Sequence, residues 1–144
     1  MNDGLTIRGA EAADAPALAA LLERLGYPAA PGAIAARLAR LVGAGDEAFV
    51  AVVAGEVVGL VTLHVTQVLH RPTPVGRITG LVVAEAATRG GVGRALVGWA
   101  EARLADRGCG FVEVTSGLAR SDAHRFYERL GYRNDDLRFF KVLG

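Results

Sequence analysis

The sequence predicts an α/β fold, a mixed sheet of about six strands with helices on both faces. Three observations predict it. Strand-like and helix-like runs follow one another as strand, two helices, three strands, helix, strand, helix, strand. Two of the strand runs are joined by a short glycine-containing turn, as in a hairpin. Another run, a glycine-rich turn, a long helix and a further run make a βαβ unit. At 144 residues, 51% of them apolar, the chain suits one domain, residues 1–144, with a real core.

Leu5-Thr6-Ile7-Arg8 alternates apolar and polar residues, which suits a half-buried first strand. Asp14 stands where it would cap a helix ahead of Pro16, and Leu18, Leu21, Leu22 and Leu25 recur at helical spacing until Gly26. A second helix spans Pro31 to Val42, with Ile34, Leu38, Leu41 and Val42 on its apolar stripe and Arg37 and Arg40 outside. The β-branched runs Ala48 to Val53 and Val57 to Leu63 flank Ala54-Gly55-Glu56 as the hairpin. Pro72 and Pro74 exclude a central strand, so the chain makes an irregular excursion before the strand Arg77 to Val83. The helix Val92 to Arg107 sets Val92, Leu96, Trp99, Ala100 and Leu104 on one face, with Arg94 and Glu101 opposite. Phe111 to Thr115 is the next strand, Ser121 caps a helix that Gly131 closes, and Leu137 to Val142 alternates as the last strand.

The net charge of +1 offers no broad field for nucleic acid or an anionic membrane, although every basic residue but Lys141 is arginine. No apolar run approaches about 18 residues, the start does not resemble a signal peptide, and a single cysteine forms no internal disulfide. These features point to the reducing cytoplasm. Cys109, between Gly108 and Gly110, reads as a buried structural thiol. His64 and His70 lack Asp, Glu or Cys at ligand spacing, so no metal is expected.

The stretch from Leu81 to Leu96 carries the chemistry. Gly90, Gly91 and Gly93 remove side chains where backbone N–H groups must approach a ligand, and the following helix aims its partial positive end at the same spot. Arg89 and Arg94 flank the turn with guanidinium forks, so the anion it suits is a phosphate or pyrophosphate. The alternative is a glycine turn that merely starts a helix, with both arginines in solvent. Other nucleotide patterns fail: Leu96 stands where a dinucleotide fold needs a third small residue, and the only lysine, Lys141, is far from any P-loop position.

With Gly91-Val92-Gly93 in the glycine positions, this stretch resembles the acetyl-CoA site of the GNAT N-acetyltransferases, Arg/Gln-x-x-Gly-x-Gly/Ala after an apolar strand and before a helix. The Arg/Gln position falls on Thr88, with Arg89 one residue later. Ser121 to Tyr132, with Phe126-Tyr127 and Gly131-Tyr132, is similar to the family's later motif, Ala-x-x-Phe-Tyr-x-x-x-Gly-Phe/Tyr. The motifs come in the family's order with a strand pattern between them, and the resemblance covers nearly the whole chain.

The resemblance implies a mostly antiparallel sheet in which the strands ending near Val83 and Thr115 are parallel and splay apart. The acetyl-pantetheine arm of acetyl-CoA would then run along Leu81, Val82 and Val83, where a free N–H would polarise the thioester carbonyl. The pyrophosphate would lie on Arg89, Gly90, Gly91, Val92, Gly93, Arg94 and Ala95. Tyr127 would lie beside the CoA sulfur. A phenol with a pKa near ~10 stays protonated at neutral pH, so Tyr127 could protonate a departing thiolate. Many relatives carry a glutamate on the strand before the cradle, where this chain has Ile78-Thr79-Gly80; Glu113, or water relayed through it, is then the candidate base, with His70 and His124 as alternatives. Tyr27, in the link between the first two helices, and His70 are candidates for contact with the acceptor. The activity implied is direct acetyl transfer to a primary amine, with a small-molecule amine as partner and no covalent acetyl-enzyme. A protein lysine or N-terminal acetyltransferase and an acyl-CoA sensor without catalysis are the alternatives, and pairing through the later strands implies a homodimer.

Overall fold

The computed structural model describes residues 4–88, 90–115, 121–134 and 138–144, and of Ser121 only the backbone. Among them the chain forms β1 (Thr6–Gly9), α1 (Ala15–Leu25), α2 (Pro31–Gly43), β2 (Glu47–Val53), β3 (Glu56–Thr66), β4 (Val75–Val83), α3 (Val92–Asp106), β5 (Phe111–Val114) and α4 (Ser121–Arg129). These fall in two units, Met1–Glu113 and Val114–Gly144.

In the first unit the strands lie in the order β1-β2-β3-β4-β5, with the first three pairings antiparallel and β4 parallel to β5 across the α3 crossover. The β2–β3 hairpin turns on Ala54 (φ 51°) and Gly55 (φ 79°), both left-handed, the backbone that matches the twist of the strands it joins. Val50, Leu60 and Val82 sit side by side on the three central strands and pack beneath Leu18 and Leu21 of α1 and Ile34 of α2. Gly59, next to Leu60, faces the other way, toward α3, and Gly76, beyond a register shift in β4, does so too. A Cβ on Gly59 would stand 2.8 Å from Leu96 Cδ1, and one on Gly76 would stand 2.9 Å from Leu104 Cδ1. Bare backbone at these two places lets α3 lie close to the sheet. Glu47 at the start of β2 accepts hydrogen bonds from Arg103 and Arg107, which ties the far end of α3 down as well.

Pairing between β3 and β4 shifts register once. Thr62 faces Gly80 but Leu63 faces Ile78, so Thr79 is an extra residue on β4. Beyond it the alternation is reversed: Ile78, 1% exposed, turns to the α3 side, and Arg77 joins His64 on the α1/α2 side.

Three expectations are corrected. Asp14 precedes α1 but does not cap it, because both carboxylate oxygens are taken by the Arg8 guanidinium (2.8 and 2.9 Å) and one also accepts the Glu11 N–H (2.8 Å). Cys109 is half-buried rather than buried; its backbone N–H donates to Leu104 O and closes α3. The described residues form five strands, not six: residues 138–142 lie outside regular structure with Phe139 and Phe140 exposed, and Leu137 lies outside the described residues. Alternation alone does not hold a strand, which needs a neighbouring ladder, and the consecutive Phe139 and Phe140 cannot share one face.

In the second unit α4 ends at Gly131 (φ 94°), where Gly131 N–H donates to Glu128 O and Tyr132 N–H returns to Tyr127 O. Tyr127 is half-buried and meets Phe126 and Tyr132 edge-on, with ring centroids 5.2 and 5.6 Å away. No helix among the described residues is long and apolar enough to cross a membrane.

The Arg8 hydrogen bond holds the Asp14 carboxyl below its ordinary pKa, outweighing the opposing effect of burial. A depressed folded-state pKa contributes stability that is present above the ordinary value and is lost as pH falls through the folded one. Asp14→Asn should therefore cost about 1–3 kcal/mol near neutral pH. Urea denaturation should show the gap to the wild-type protein narrowing on acidification below about pH 4; a gap independent of pH would contradict this account.

Candidate active site

Backbone hydrogen bonds shape the passage from β4 into α3. Ala84 N–H donates to Val58 O (2.8 Å), a short 3-10 turn follows at Glu85–Ala87, and Thr88 returns both its N–H and its hydroxyl to Glu85 O. Gly90 N–H donates to Ala87 O at 3.1 Å. Gly91 then takes the left-handed conformation (φ 80°, ψ 10°) as the N-cap of α3, and Ala95 N–H donates back to Gly91 O at 3.0 Å.

Two of the expected cradle amides, those of Gly90 and Ala95, are thus engaged within the chain. Those of Val92, Gly93 and Arg94, in the first turn of α3, have no acceptor in their own helix. Among the described residues no side chain caps this end, and the first turn carries no acidic residue. The 15-residue helix therefore presents its first-turn N–H groups and the positive end of its dipole with no acidic residue in that turn. The Val92 side chain is buried (1% exposed), so Val92 offers its amide alone, whereas Arg94 is exposed. Arg89 lies outside the described residues.

The same ladder orients the amides at the end of β4. Because Ala84 N–H reaches Val58 O, antiparallel alternation gives Val82 and Gly80 the bonds to β3. The N–H groups of Leu81 and Val83 point the other way, to the side of β4 where β5 lies. On that side Gly110 N–H donates to Pro74 O (3.4 Å) and Arg77 lies 3.7 Å from Glu113, so within this unit β5 runs beside the first residues of β4. Leu81–Val83 extend beyond those contacts. The end of β4 thus turns two strand amides toward the β5 side, and the chain then leads through the turn at 84–91 to the first-turn amides of α3, a combination suited to an anion and a polarised carbonyl. The Val82 side chain belongs to the core under α1 and α2.

The α1/α2 side of the sheet changes character along β3. Past the apolar row of Val50, Leu60 and Val82, Thr62 Oγ1 and Thr79 Oγ1 hydrogen-bond at 2.7 Å across the bulge. One same-face step further, His64 lies opposite Arg77, which lies beside Glu113. His64, set aside for want of a partner at local spacing, has one in Asp46: Nδ1 and Oδ1 are 2.7 Å apart, across 18 residues of sequence. No local spacing could have signalled that pair.

Of the other site candidates, the Glu113 side chain is 55% exposed with its carboxylate facing Arg77. Tyr27 is 64% exposed in the link between α1 and α2, and His70 is exposed between β3 and β4. His124 and Tyr127 are half-buried on α4 of the second unit. No group of three or more His, Cys, Asp or Glu suited to a metal ion occurs among the described residues.

The aminoalkylphosphonate N-acetyltransferase of Salmonella typhimurium (strain LT2) is 39% identical over 89 residues, 62% of this chain; the matched region spans 58% of that relative's length. The solved structure of a transcriptional regulator from Bacillus halodurans C-125 is 28% identical, with a TM-score of 0.82 over 95% of this chain and 99% of its own. That of a Trypanosoma brucei acetyltransferase is 26% identical, with a TM-score of 0.82 over 96% and 99%. The model of the GNAT acetyltransferase family matches residues 15–132, from the first residue of α1 to Tyr132 after α4. This chain belongs to the GNAT acetyltransferase family.

Proposed function

We propose that the chain is a single-domain, acetyl-CoA-dependent N-acetyltransferase that moves the acetyl group directly to the primary amine of a small molecule. The observation that carries this reading is the uncapped N-terminus of α3, with Gly91 left-handed, set against the outward amides of Leu81 and Val83. Acetyl-CoA supplies an activated acyl thioester and a pyrophosphate by which it can be held. This chain's residues fit it. The amides of Val92, Gly93 and Arg94 donate to the pyrophosphate, Gly90 and Ala95 shape the turn around it, and Arg89 and Arg94 add positive charge. The N–H of Leu81 or Val83 donates to the carbonyl oxygen on which negative charge grows as the amine attacks. By its place in the Phe126-Tyr127 motif, Tyr127 gives the departing thiolate its proton. The small-amine acceptor is supported by the Salmonella relative, which acts on aminoalkylphosphonates, and Tyr27 and His70 are assigned to the acceptor side. A second reading, acyl-CoA sensing without catalysis, is favoured by the likeness to the Bacillus halodurans regulator. We assign the protein to the cytoplasm.

The deciding measurement is CoA release with a panel of amines that includes aminoalkylphosphonates. Turnover of at least one is expected; acetyl-CoA binding with no turnover at all would favour the sensor.

Two variants test the site. Gly91→Val forces a β-branched residue into the left-handed region, at a cost of about 1–2 kcal/mol to the folded state, and removes the close approach of the anion. Its affinity for acetyl-CoA by calorimetry should fall at least about tenfold, and unchanged affinity would refute the cradle. Tyr127→Phe should lower kcat by roughly 10²-fold or more while largely keeping acetyl-CoA binding. An unaltered kcat would remove Tyr127 from the proton path.

We also propose a homodimer, now on the exposed apolar side chains of Phe139, Phe140, Val142 and Leu143 rather than on a sixth strand. Sedimentation velocity should show it, and a monomer at all working concentrations would reject it.

A further inference from the structure

We propose that His64, held by Asp46, takes the proton from the ammonium group of the acceptor, on the polar part of the sheet face next to the Thr62–Thr79 bridge. The inference rests on the acetyltransferase reading above. An amine at neutral pH is protonated and has no lone pair to attack with, so a transferase for primary amines needs a group that removes that proton.

Three features place His64 in that role. The first is tautomer. An ionised carboxylate only accepts hydrogen bonds, so the 2.7 Å contact with Asp46 puts the ring proton on Nδ1 and leaves the lone pair on Nε2. Asp46 is a positioning residue. The second is location. His64 is two residues from Thr62 on the same face, hence about 7 Å along β3 from the threonine pair at the bulge. The Leu81 amide, at the outward edge of β4, is two residues beyond Thr79. An acceptor lying over the threonine pair would have the amide edge on one side and His64 on the other. The third is access: the His64 side chain is 42% exposed, so Nε2 can be reached and can return its proton to water.

Three charged groups meet His64 or its neighbours among the described residues. Asp46 lies beside β2, Arg77 lies opposite on β4, and Glu113 follows on β5. From α1 and α2, Leu18, Leu21 and Ile34 pack on this sheet face. The Glu113 carboxylate lies 3.7 Å from the Arg77 guanidinium. His64 is held through Nδ1 by the Asp46 carboxylate, which fixes the orientation of the ring.

The protons balance. The ammonium gives one proton, through water lying over the threonine pair, to His64 Nε2 and becomes the amine, whose lone pair forms the new C–N bond as the C–S bond breaks. The new amide nitrogen sheds a second proton and the thiolate gains one. Net, one proton remains on His64 and passes to solvent.

The test compares wild type, His64→Gln and Asp46→Asn with an amine that the wild-type enzyme acetylates. His64→Gln should lose at least about 10²-fold in kcat/KM and should lose the acidic limb of the kcat/KM profile, while its thermal shift with acetyl-CoA stays as in wild type. Asp46→Asn should show a smaller loss, and added imidazole should restore part of the activity of His64→Gly. Nitrogen-15 NMR of the wild-type protein without ligand gives an independent readout: the Nδ1–H tautomer is expected at His64, with Asp46→Asn allowing Nε2–H. Retention of rate and acidic limb in His64→Gln, or an Nε2–H tautomer in wild type, overturns the assignment. Wild-type protein that binds acetyl-CoA but acetylates no amine overturns the transferase reading itself, and this inference with it.

Discussion

The extra residue at Thr79 is the constraint on which the site depends. Were the β3–β4 ladder continuous, Ile78 would turn to the side of α1 and α2, and Arg77 and Thr79 would turn toward α3. That arrangement would bury a guanidinium where Leu104 now closes over Gly76. With the bulge, Ile78 fills the α3 side, and Thr62, Thr79, His64 and Arg77 collect on the other face beyond the reach of the apolar row. A single inserted residue thereby divides one sheet face into a core and a polar floor.

The opposite face fixes where the anion cradle points. Gly59 and Gly76 let α3 approach the strands, Leu96 and Leu104 bury completely, and Glu47 holds Arg103 and Arg107 near the far end of the helix. The Arg103 guanidinium also lies over the Phe49 ring, which meets Trp99 edge-on. A helix held along its length cannot swing its N-terminus away from β4. Its first-turn amides are accordingly fixed relative to the sheet, which favours the anion-binding role proposed for them. Left-handed Gly91 makes the sharp entry into the helix compatible with an unstrained backbone.

Family membership and substrate choice rest on different parts of the molecule. The fold is what the GNAT family model and the similar structures share with this chain, and the start of α3 is the part proposed to hold an acyl-CoA. The polar floor is the part proposed to meet the acceptor. It is built from side chains of β3, β4 and β5 with Asp46, and each of these can change without disturbing the core under α1 and α2. Fold likeness therefore carries little information about which amine is used.

The sequence by itself determined the helices and their bounds to within a residue or so, the hairpin, the βαβ unit and the glycine turn, because each is written in spacing and turn chemistry over a few neighbouring residues. Gly26 and Gly131 end helices in the left-handed conformation where glycine costs least, and the β-branched runs became strands where expected. Tertiary structure decided the rest, since the deciding partners lie far apart in the chain. Asp14 left its helix end for Arg8, and Glu47 found Arg103 across 56 residues. His64 found Asp46 across 18, and Thr62 found Thr79 across 17. The bulge belongs to this second class, because Thr79 reads as an ordinary strand residue and its insertion is fixed only when Ile78 and Val82 must be buried on opposite faces of the same sheet.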